Sequence, residues 1–416
     1  MRNRPFFSVV LPTLGKSEYL SDAIQSVLNQ SCDDLELIVS NNSESDAVRE
    51  VVRDLDDSRI RYFKTGRTLP IDESYGFALS HCAGEFVAFL GDDDAYSKVY
   101  LEKVSEAISQ SRKHRVIACQ MCDYYFYRVT LNGIDIAEND LALKPFSNDL
   151  YFYSAKEVTR HIFSSAGLIR EPGIEPLGRP LIFNAVYHHS ITDAMIKRLG
   201  YFFPKIVFGD VFTVVVVLSL IDEYLYLDSP LAVHGFSKTS LTAIESIERM
   251  KRFIEQNQEY LKTRHVPLSF YTPTNQMADS ILMAKDAMED RLSYLKIDRA
   301  EYFRKCLVDL QGLSLEGCDV NSELAEFWNV LEKEGDLKKQ LLRESRGFKR
   351  QVELSLNRMT RKLGIYKPLK RLTNKSNVRY LRGADLGFND ILGCASAIDM
   401  NFLTRFASQD SSTESS

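Results

Sequence analysis

A rhythm over the first 120 residues narrows the fold most: short apolar, β-branched runs alternate with segments whose apolar residues recur at three-and-four spacing. Phe6–Leu11 reads as a strand. From Leu20, the residues Ile24, Val27 and Leu28 share one helical face, with Ser17 placed to cap it. Leu35–Ser40 reads as strand and Asp46–Leu55 as helix, with Val48, Val51, Val52 and Leu55 on one side. Ile60–Phe63, Ser74–Cys82, Glu85–Leu90, Ser97–Ser109 and Val116–Ala118 continue the alternation. This order predicts an α/β fold with a mostly parallel sheet between helical layers. In such sheets, ligands bind beyond the carboxyl ends of the strands. Three of those ends carry polar residues: Pro12-Thr13, Ser40-Asn41-Asn42 and Gly91-Asp92-Asp93-Asp94.

The last of these is the most demanding chemically. Three neighbouring carboxylates at the end of a buried strand repel one another and resist desolvation unless a cation or donors compensate them. A solvated acidic turn, a receiver-type Mg²⁺ pocket and a polymerase palm hairpin are alternative readings. Receiver pockets gather carboxylates from separate strand ends, and palm motifs sit between antiparallel strands. Here a βαβα run precedes the triplet, and a helix carrying Leu101, Val104 and Ile108 follows it.

Five blocks, in order, resemble the nucleotide-binding half of inverting family 2 glycosyltransferases with the GT-A (Rossmann-like) fold. They are FSVVLPT (7–13), LSDAIQSVLNQS (20–31), LELIVSNNSESD (35–46), SRIRYFKT (58–65) and AGEFVAFLGDDDAY (83–96). The resemblance is specific over about the first 120 residues, weaker to about residue 240 and absent beyond. It implies a nucleotide-sugar donor and a Mn²⁺ or Mg²⁺ cofactor bridging the diphosphate, for which hard oxygen ligands are suited. On that basis Asp94 is the expected metal ligand. Asp92 is expected to face the ribose or a metal-bound water, and Asp93 to belong to the same donor-binding turn. Pro12 and Thr13 match the strand end that approaches the nucleoside.

Asn41 stands where the family commonly has an aspartate facing the base, and Leu14-Gly15-Lys16 replaces the usual aromatic, Asn and Arg. Both departures bear on which base is read. Arg67 is a candidate contact to base or phosphate. The general base that inversion requires is matched best by Asp210 in FPKIVFGDVFTVVV, with Asp193 and the pair Asp222-Glu223 as rivals. His234 falls where some GT-A enzymes complete the metal or diphosphate site, and His188-His189 are candidates for the acceptor groove.

Composition limits the rest. With 416 residues the chain has room for two or three domains. Seven scattered cysteines argue for a reducing compartment, and Cys119-Gln120-Met121-Cys122 lacks the second pair that a zinc site needs. The longest uncharged apolar run, Val211–Ile221, is roughly half of the ~20 residues that cross a bilayer, so no transmembrane segment is expected. Beyond Ser240 the spacing is helical (243–261, 273–295, 299–310, 322–343).

The expected organisation is a catalytic GT-A domain over 1–240, a helical extension over 241–335, a basic helical region over 336–405 and a disordered tail over 406–416. Between Lys338 and Arg382, 15 basic residues face 2 acidic ones; that +13 leaves −18 for the remainder of a chain whose net charge is −5. Apolar residues interleave these cations and no nucleic-acid motif accompanies them, which favours an anionic membrane surface over nucleic acid.

The expected function is metal-dependent, inverting transfer of a sugar to a saccharide or lipid-linked saccharide acceptor. The expected setting is cell-surface polysaccharide biosynthesis, in the cytoplasm or peripherally on the inner membrane face. A noncatalytic nucleotide- or saccharide-binding protein is the alternative; a nucleotidyltransferase lacks the glycine-rich phosphate loop it would need. Full-length protein is expected to float with anionic vesicles at low salt and to be released as salt rises. Failure to float at low salt removes the membrane reading.

Overall fold

The computed structural model describes residues 4–15, 18–131, 134–237, 265–315, 318–339 and 378–407. The strands β1 (Phe7–Thr13), β2 (Leu35–Asn41), β3 (Ile60–Lys64) and β4 (Phe86–Phe89) run parallel in the order β4-β1-β2-β3. Their connections are α1 (Leu20–Leu28), α2 (Ala47–Leu55) and α3 (Ile71–Leu79). Six of the seven residues of β1 are buried, as a parallel strand covered on both faces requires. Its Phe7, Val9 and Leu11 enter one core while Val10 enters the other, the two-residue alternation of a strand between two layers.

Past β4 the sheet becomes mixed. The next elements are β5 (Ala95–Tyr96), α4 (Tyr100–Gln110), β6 (Val116–Tyr125), a separate hairpin of β7 (Val129–Leu131) with β8 (Ile134–Ile136), and β9 (Asp140–Leu143). They are followed by β10 (Leu150–Ser154), α5 (Ala155–Ser165), β11 (Ala185–His188), α6 (His189–Leu199), α7 (Gly209–Leu220) and β12 (Glu223–Phe236). The main path is β10-β12-β6-β11-β4-β1-β2-β3, in which only β10 and β11 oppose the other six strands. The expected mostly parallel sheet between helical layers is therefore present, with an antiparallel insertion beside β4.

Two segments that were ambiguous in sequence resolve for physical reasons. The valine run after Asp210 is the helix α7, and every residue from Val211 to Leu218 is buried. A helix that is apolar all round is one packed all round. Burying each valine contributes about 1.5–3 kcal/mol, which outweighs a helix-propensity cost below about 0.7 kcal/mol. Tyr224–Val233, whose sequence alone reads as a strand pair around Ser229-Pro230, lies within the single strand β12. Its register with β6 shifts between Leu227, Pro230 and Ala232, because Pro230 has no N–H to give the ladder and a bulge accommodates it.

The later residues share both cores. α8 (Pro273–Ala287) opens with a Thr272 cap accepting from Asn275 N–H and a proline at its start. It continues into α9 (Glu289–Leu292), α10 (Arg299–Leu315) and α11 (Asn321–Lys333). Ile281, Phe303 and Phe327 from these helices join α5 and α7 in one core. The C-terminal piece consists of β13 (Arg379–Arg382), α12 (Gly383–Leu386), α13 (Ile391–Ala397) and α14 (Met400–Phe406). β13 pairs with β9, and Phe388, Ile391, Cys394 and Phe402 join the other core with α1 and α4.

Residues 379–382 are thus strand where helix was expected. Most of the basic 338–382 stretch, the expected helix at 243–261, the Ser17 cap and the tail from 408 lie outside the described residues. No helix among the described residues is long and apolar enough to cross a membrane. Cys119 and Cys122 are buried, and burial pushes both thiols well above their ordinary range, the inert reading of that pair.

Candidate active site

The triplet is held by the ends of two strands, β1 and β12, through two side-chain hydroxyls and one backbone N–H. Thr13 Oγ1, at the end of β1, donates to Asp92 Oδ2 (2.5 Å) and accepts from Gly15 N–H (2.9 Å). Ser237 Oγ, just past β12, donates to Asp93 Oδ2 (2.7 Å). Gly235 N–H, within β12, donates to Asp94 Oδ1 (2.9 Å). The turn is also closed from Asp94 N–H to Gly91 O (3.3 Å).

Two glycines make these approaches sterically feasible. A Cβ on Gly91 would sit 2.5 Å from Asp94 Oδ2, and one on Gly235 would sit 1.7 Å from the Asp93 carbonyl oxygen. β5 then anchors the chain after the turn, with Ala95 and Tyr96 paired to Val233 and Ala232 of β12.

The electrostatics follow from burial. Asp94 is buried, and loss of water pushes its carboxyl up to about 6, an effect that the His234 charge moderates and Asp93 reinforces. Burial also raises Asp92, against the Thr13 hydrogen bond. Desolvation pulls the His234 imidazole down, but the Asp123 hydrogen bond and the charges of Asp94, Asp123 and Asp93 outweigh it and hold it up at about 9.

His234 Nδ1 lies 3.1 Å from Asp123 Oδ1, a carboxylate–imidazole pairing that fixes the ring and leaves Nε2 for another partner. No three His, Cys, Asp or Glu side chains gather as a ligand set among the described residues. Asp94 and, once its ring nitrogen has lost its proton, His234 would be the chain's own donors to a cation there. Such a sparse oxygen-and-imidazole set fits a divalent cation that takes its remaining ligands from substrate phosphates and water.

Asp210 is the second residue of α7, behind an N-cap Phe208 without a side-chain acceptor, and is partly exposed. Burial raises its carboxyl, against the backbone N–H groups of Val211 and Asp210 and the charge of Arg179. Tyr75 on α3 senses both groups. Its hydroxyl is held up by burial and then by the charges of Asp94, Asp92 and Asp210. Tyr75 stacks on Phe203 (centroids 4.9 Å apart), and Phe89, at the end of β4, stacks on Phe202 (4.8 Å).

Other sequence candidates are placed differently. Asn41 is adjacent to Thr13 across the β1–β2 register, but its amide is fully used. Nδ2 donates to Ser45 O and Tyr62 Oη, and Oδ1 accepts from Ser43 N–H and Oγ, leaving nothing for a base. Arg67 is exposed and paired with exposed Glu73 (3.0 Å).

His188 aligns with Phe86 at the start of β4, the opposite end from the triplet, so His188 and His189 do not line this site. Asp193 pairs with His189, and Glu223 pairs with Lys113 at the far end of β12. Sequence reasoning missed Tyr75, Gly235, Ser237, Asp123 and Arg179. Only the Gly-Phe-Ser following His234 carried a local signal, a strand end facing the triplet's strand.

Residues 8–172 match the family model described as Glycosyl transferase family 2. The GalNAc(5)-diNAcBac-PP-undecaprenol beta-1,3-glucosyltransferase of Campylobacter jejuni is 34% identical over 120 residues, covering 26% of this chain and 37% of that protein. The putative teichuronic acid biosynthesis glycosyltransferase TuaG of Bacillus subtilis is 30% identical over 105 residues, covering 25% of this chain and 42% of its own. The chain therefore spans about two fifths of these relatives. A crystal structure of S. aureus TarS residues 1–349 with UDP aligns at 15% identity and TM-score 0.41, over 62% of this chain and 66% of that one.

Gly235→Ala is expected to lower the denaturant midpoint by the equivalent of about 1–3 kcal/mol, the usual cost of overpacking, and to displace the triplet. A variant that melts like the parent would show that β12 does not hold the turn.

Proposed function

With residues 8–172 forming a glycosyl transferase family 2 domain, we propose that the protein is an inverting, divalent-metal-dependent glycosyltransferase. It moves one sugar from a nucleotide donor to a hydroxyl of a saccharide or lipid-linked saccharide. The observation that carries this reading is the Asp92-Asp93-Asp94 turn at the carboxyl end of β4, gripped by the ends of β1 and β12, with the charge of Asp210 reaching the same tyrosine, Tyr75, as those of Asp92 and Asp94. Two relatives whose names specify a diphospho-undecaprenol acceptor support the lipid-linked class. They also support a setting in polysaccharide or glycolipid assembly at an anionic leaflet, for which the charge of 338–382 is suited.

In the proposed reaction Thr13 holds Asp92 toward the nucleoside side, and Asp94 with His234 faces the diphosphate. A bound Mg²⁺ or Mn²⁺ would neutralise the charge that gathers on the leaving nucleotide. Asp210 takes the proton of the acceptor hydroxyl as its oxygen attacks the anomeric carbon from the opposite face. Asp94 and Tyr75 are already withdrawn from water, which strengthens the electrostatic interactions of that carboxylate.

A noncatalytic nucleotide- or saccharide-binding protein is the second reading, favoured by the saturated amide of Asn41. It predicts donor binding with neither transfer nor hydrolysis.

Titrating UDP, GDP, dTDP and CDP into the full chain, with and without Mn²⁺, tests the donor site. One of them should bind with metal dependence, and Asp94→Ala should remove about tenfold or more of that affinity. Equal metal-dependent binding by the variant would remove Asp94 from the site.

Asp210→Asn should leave nucleotide affinity unchanged and reduce transfer by about 10²-fold or more. The base must be ionised and its carboxyl is raised by burial. Activity at saturating metal should therefore fall, as pH drops, through a midpoint above that of an exposed aspartate. Transfer retained by Asp210→Asn would place the base elsewhere.

A further inference from the structure

Arg179 is a half-buried cation that the donor chemistry does not use. The loop before it, 171–178, is fixed by tyrosines from two strands. Tyr153 Oη accepts from Leu177 N–H (3.2 Å) and Tyr224 Oη donates to Gly178 O (2.9 Å). Gly178 lies so close to Tyr226 that a Cβ would come 2.4 Å from its ring, and the buried Tyr226 hydroxyl has no hydrogen-bond partner. Beyond Arg179, Tyr187 Oη donates to Pro180 O (3.0 Å) and Asn184 Nδ2 donates to Arg179 O (3.1 Å). The backbone is held on both sides.

The side chain is not. Of the five donors of its guanidinium, one makes a 3.3 Å bond, from Nη2 to Ser165 Oγ, and no carboxylate among the described residues forms an ion pair with it. Burial depresses its basicity, while Tyr224, Glu175 and Asp210 act on it from a distance.

A helix-capping role would explain a cation here, since Ser165 ends α5. That role is already filled: Lys305 Nζ donates to both Ser164 O (2.9 Å) and Ser165 O (2.7 Å). A half-buried guanidinium with one long bond carries an unmet desolvation cost, which an anion relieves through paired N–H···O bonds.

Building on the reading of Asp210 as the base, we propose that Arg179 binds an anionic group of the acceptor, a phosphate or a sugar carboxylate, and thereby sets the acceptor hydroxyl on Asp210. The acceptor is favoured over the donor because packing ties this segment to the start of α7: Tyr187, which donates to Pro180 O, meets Phe202 edge-on (centroids 5.9 Å apart), and Thr213 Oγ1 reaches both Phe202 O and Gly209 O, next to Asp210. Asp210 acts on both Tyr75 and Arg179, whereas Asp92 and Asp94 act on Tyr75.

Three probes test this on the full chain by calorimetry: octyl glucoside, octyl glucuronide and an octyl-diphosphate-linked N-acetylglucosamine. The parent should bind one anionic probe about tenfold or more tightly than the neutral glycoside, and which one binds identifies the group. Arg179→Gln should erase that preference and Arg179→Lys should restore part of it. Nucleoside diphosphate affinity with Mn²⁺ should be the same in all three proteins, which keeps this test separate from that of the donor site.

Equal binding of neutral and anionic probes by the parent overturns the proposal, as does a preference that survives Arg179→Gln. Lost nucleotide affinity in Arg179→Gln also overturns it and assigns the guanidinium to the donor. If Arg179→Gln does not fold, the parent decides: a preference that does not shrink between about 50 and about 300 mM salt overturns the proposal, and one that shrinks supports it.

Discussion

The carboxyl edge of the sheet depends on how closely β12 approaches the turn after β4. Three adjacent carboxylates would spread into solvent if left alone. Here each is given its own donor, Thr13 at the end of β1 to Asp92, and Ser237 and Gly235 N–H at the end of β12 to Asp93 and Asp94. Because only a backbone without a side chain fits against the Asp93 carbonyl, the strand that supplies the donors also removes the water. Hydrogen bonds to charged groups contribute about 1.5–3 kcal/mol each. That is enough to hold the shape of the turn without matching the cost of burying the Asp94 charge beside two partly buried ones. The rise of the Asp94 carboxyl to about 6 is the residue of that imbalance, and a cation is what would remove it.

The layers behind this edge explain why so much of the chain serves one short turn. β12 is positioned from below by β6 and α7, and α7 is wrapped by the helices after residue 265. On the other face the C-terminal piece closes over α1 and α4, its Phe388, Ile391 and Phe402 sharing a core with Phe7 and Leu37. The helical extension and the C-terminal piece are therefore structural parts of the sheet domain, each completing one of its two faces.

The parallel half of the fold was legible because its code is local. Apolar periodicity fixed β1 to β4 and the helices between them within a few residues, and the triplet marked its own strand end. What was not legible depends on partners far apart in sequence. Nothing near Gly235 says that its Cα must touch Asp93, and nothing near Tyr75 says that the charges of three carboxylates reach it. The single bulged strand β12 read as two strands because a proline normally ends one; here the bulge absorbs it. Asn41 read as a base contact by its position, yet a side chain with two donors and two acceptors can be consumed by its own loop, and only coordinates reveal that.

The setting of Asp210 bears on what it is for. A residue serving only as a cap would stand at the N-cap, where its oxygen accepts from the next turn and its acidity increases. Asp210 instead stands two residues further in, behind Phe208. There the helix N-terminus favours the anion while burial opposes it, and burial prevails. The result is a carboxylate more basic than an exposed one, whose charge is felt both by the singly bonded Arg179 and by Tyr75, where those of Asp92 and Asp94 also act. In the proposed reading this distribution of charge would orient an incoming molecule before any bond is made: the diphosphate toward a cation at the triplet, an anionic acceptor toward Arg179, and the hydroxyl toward Asp210.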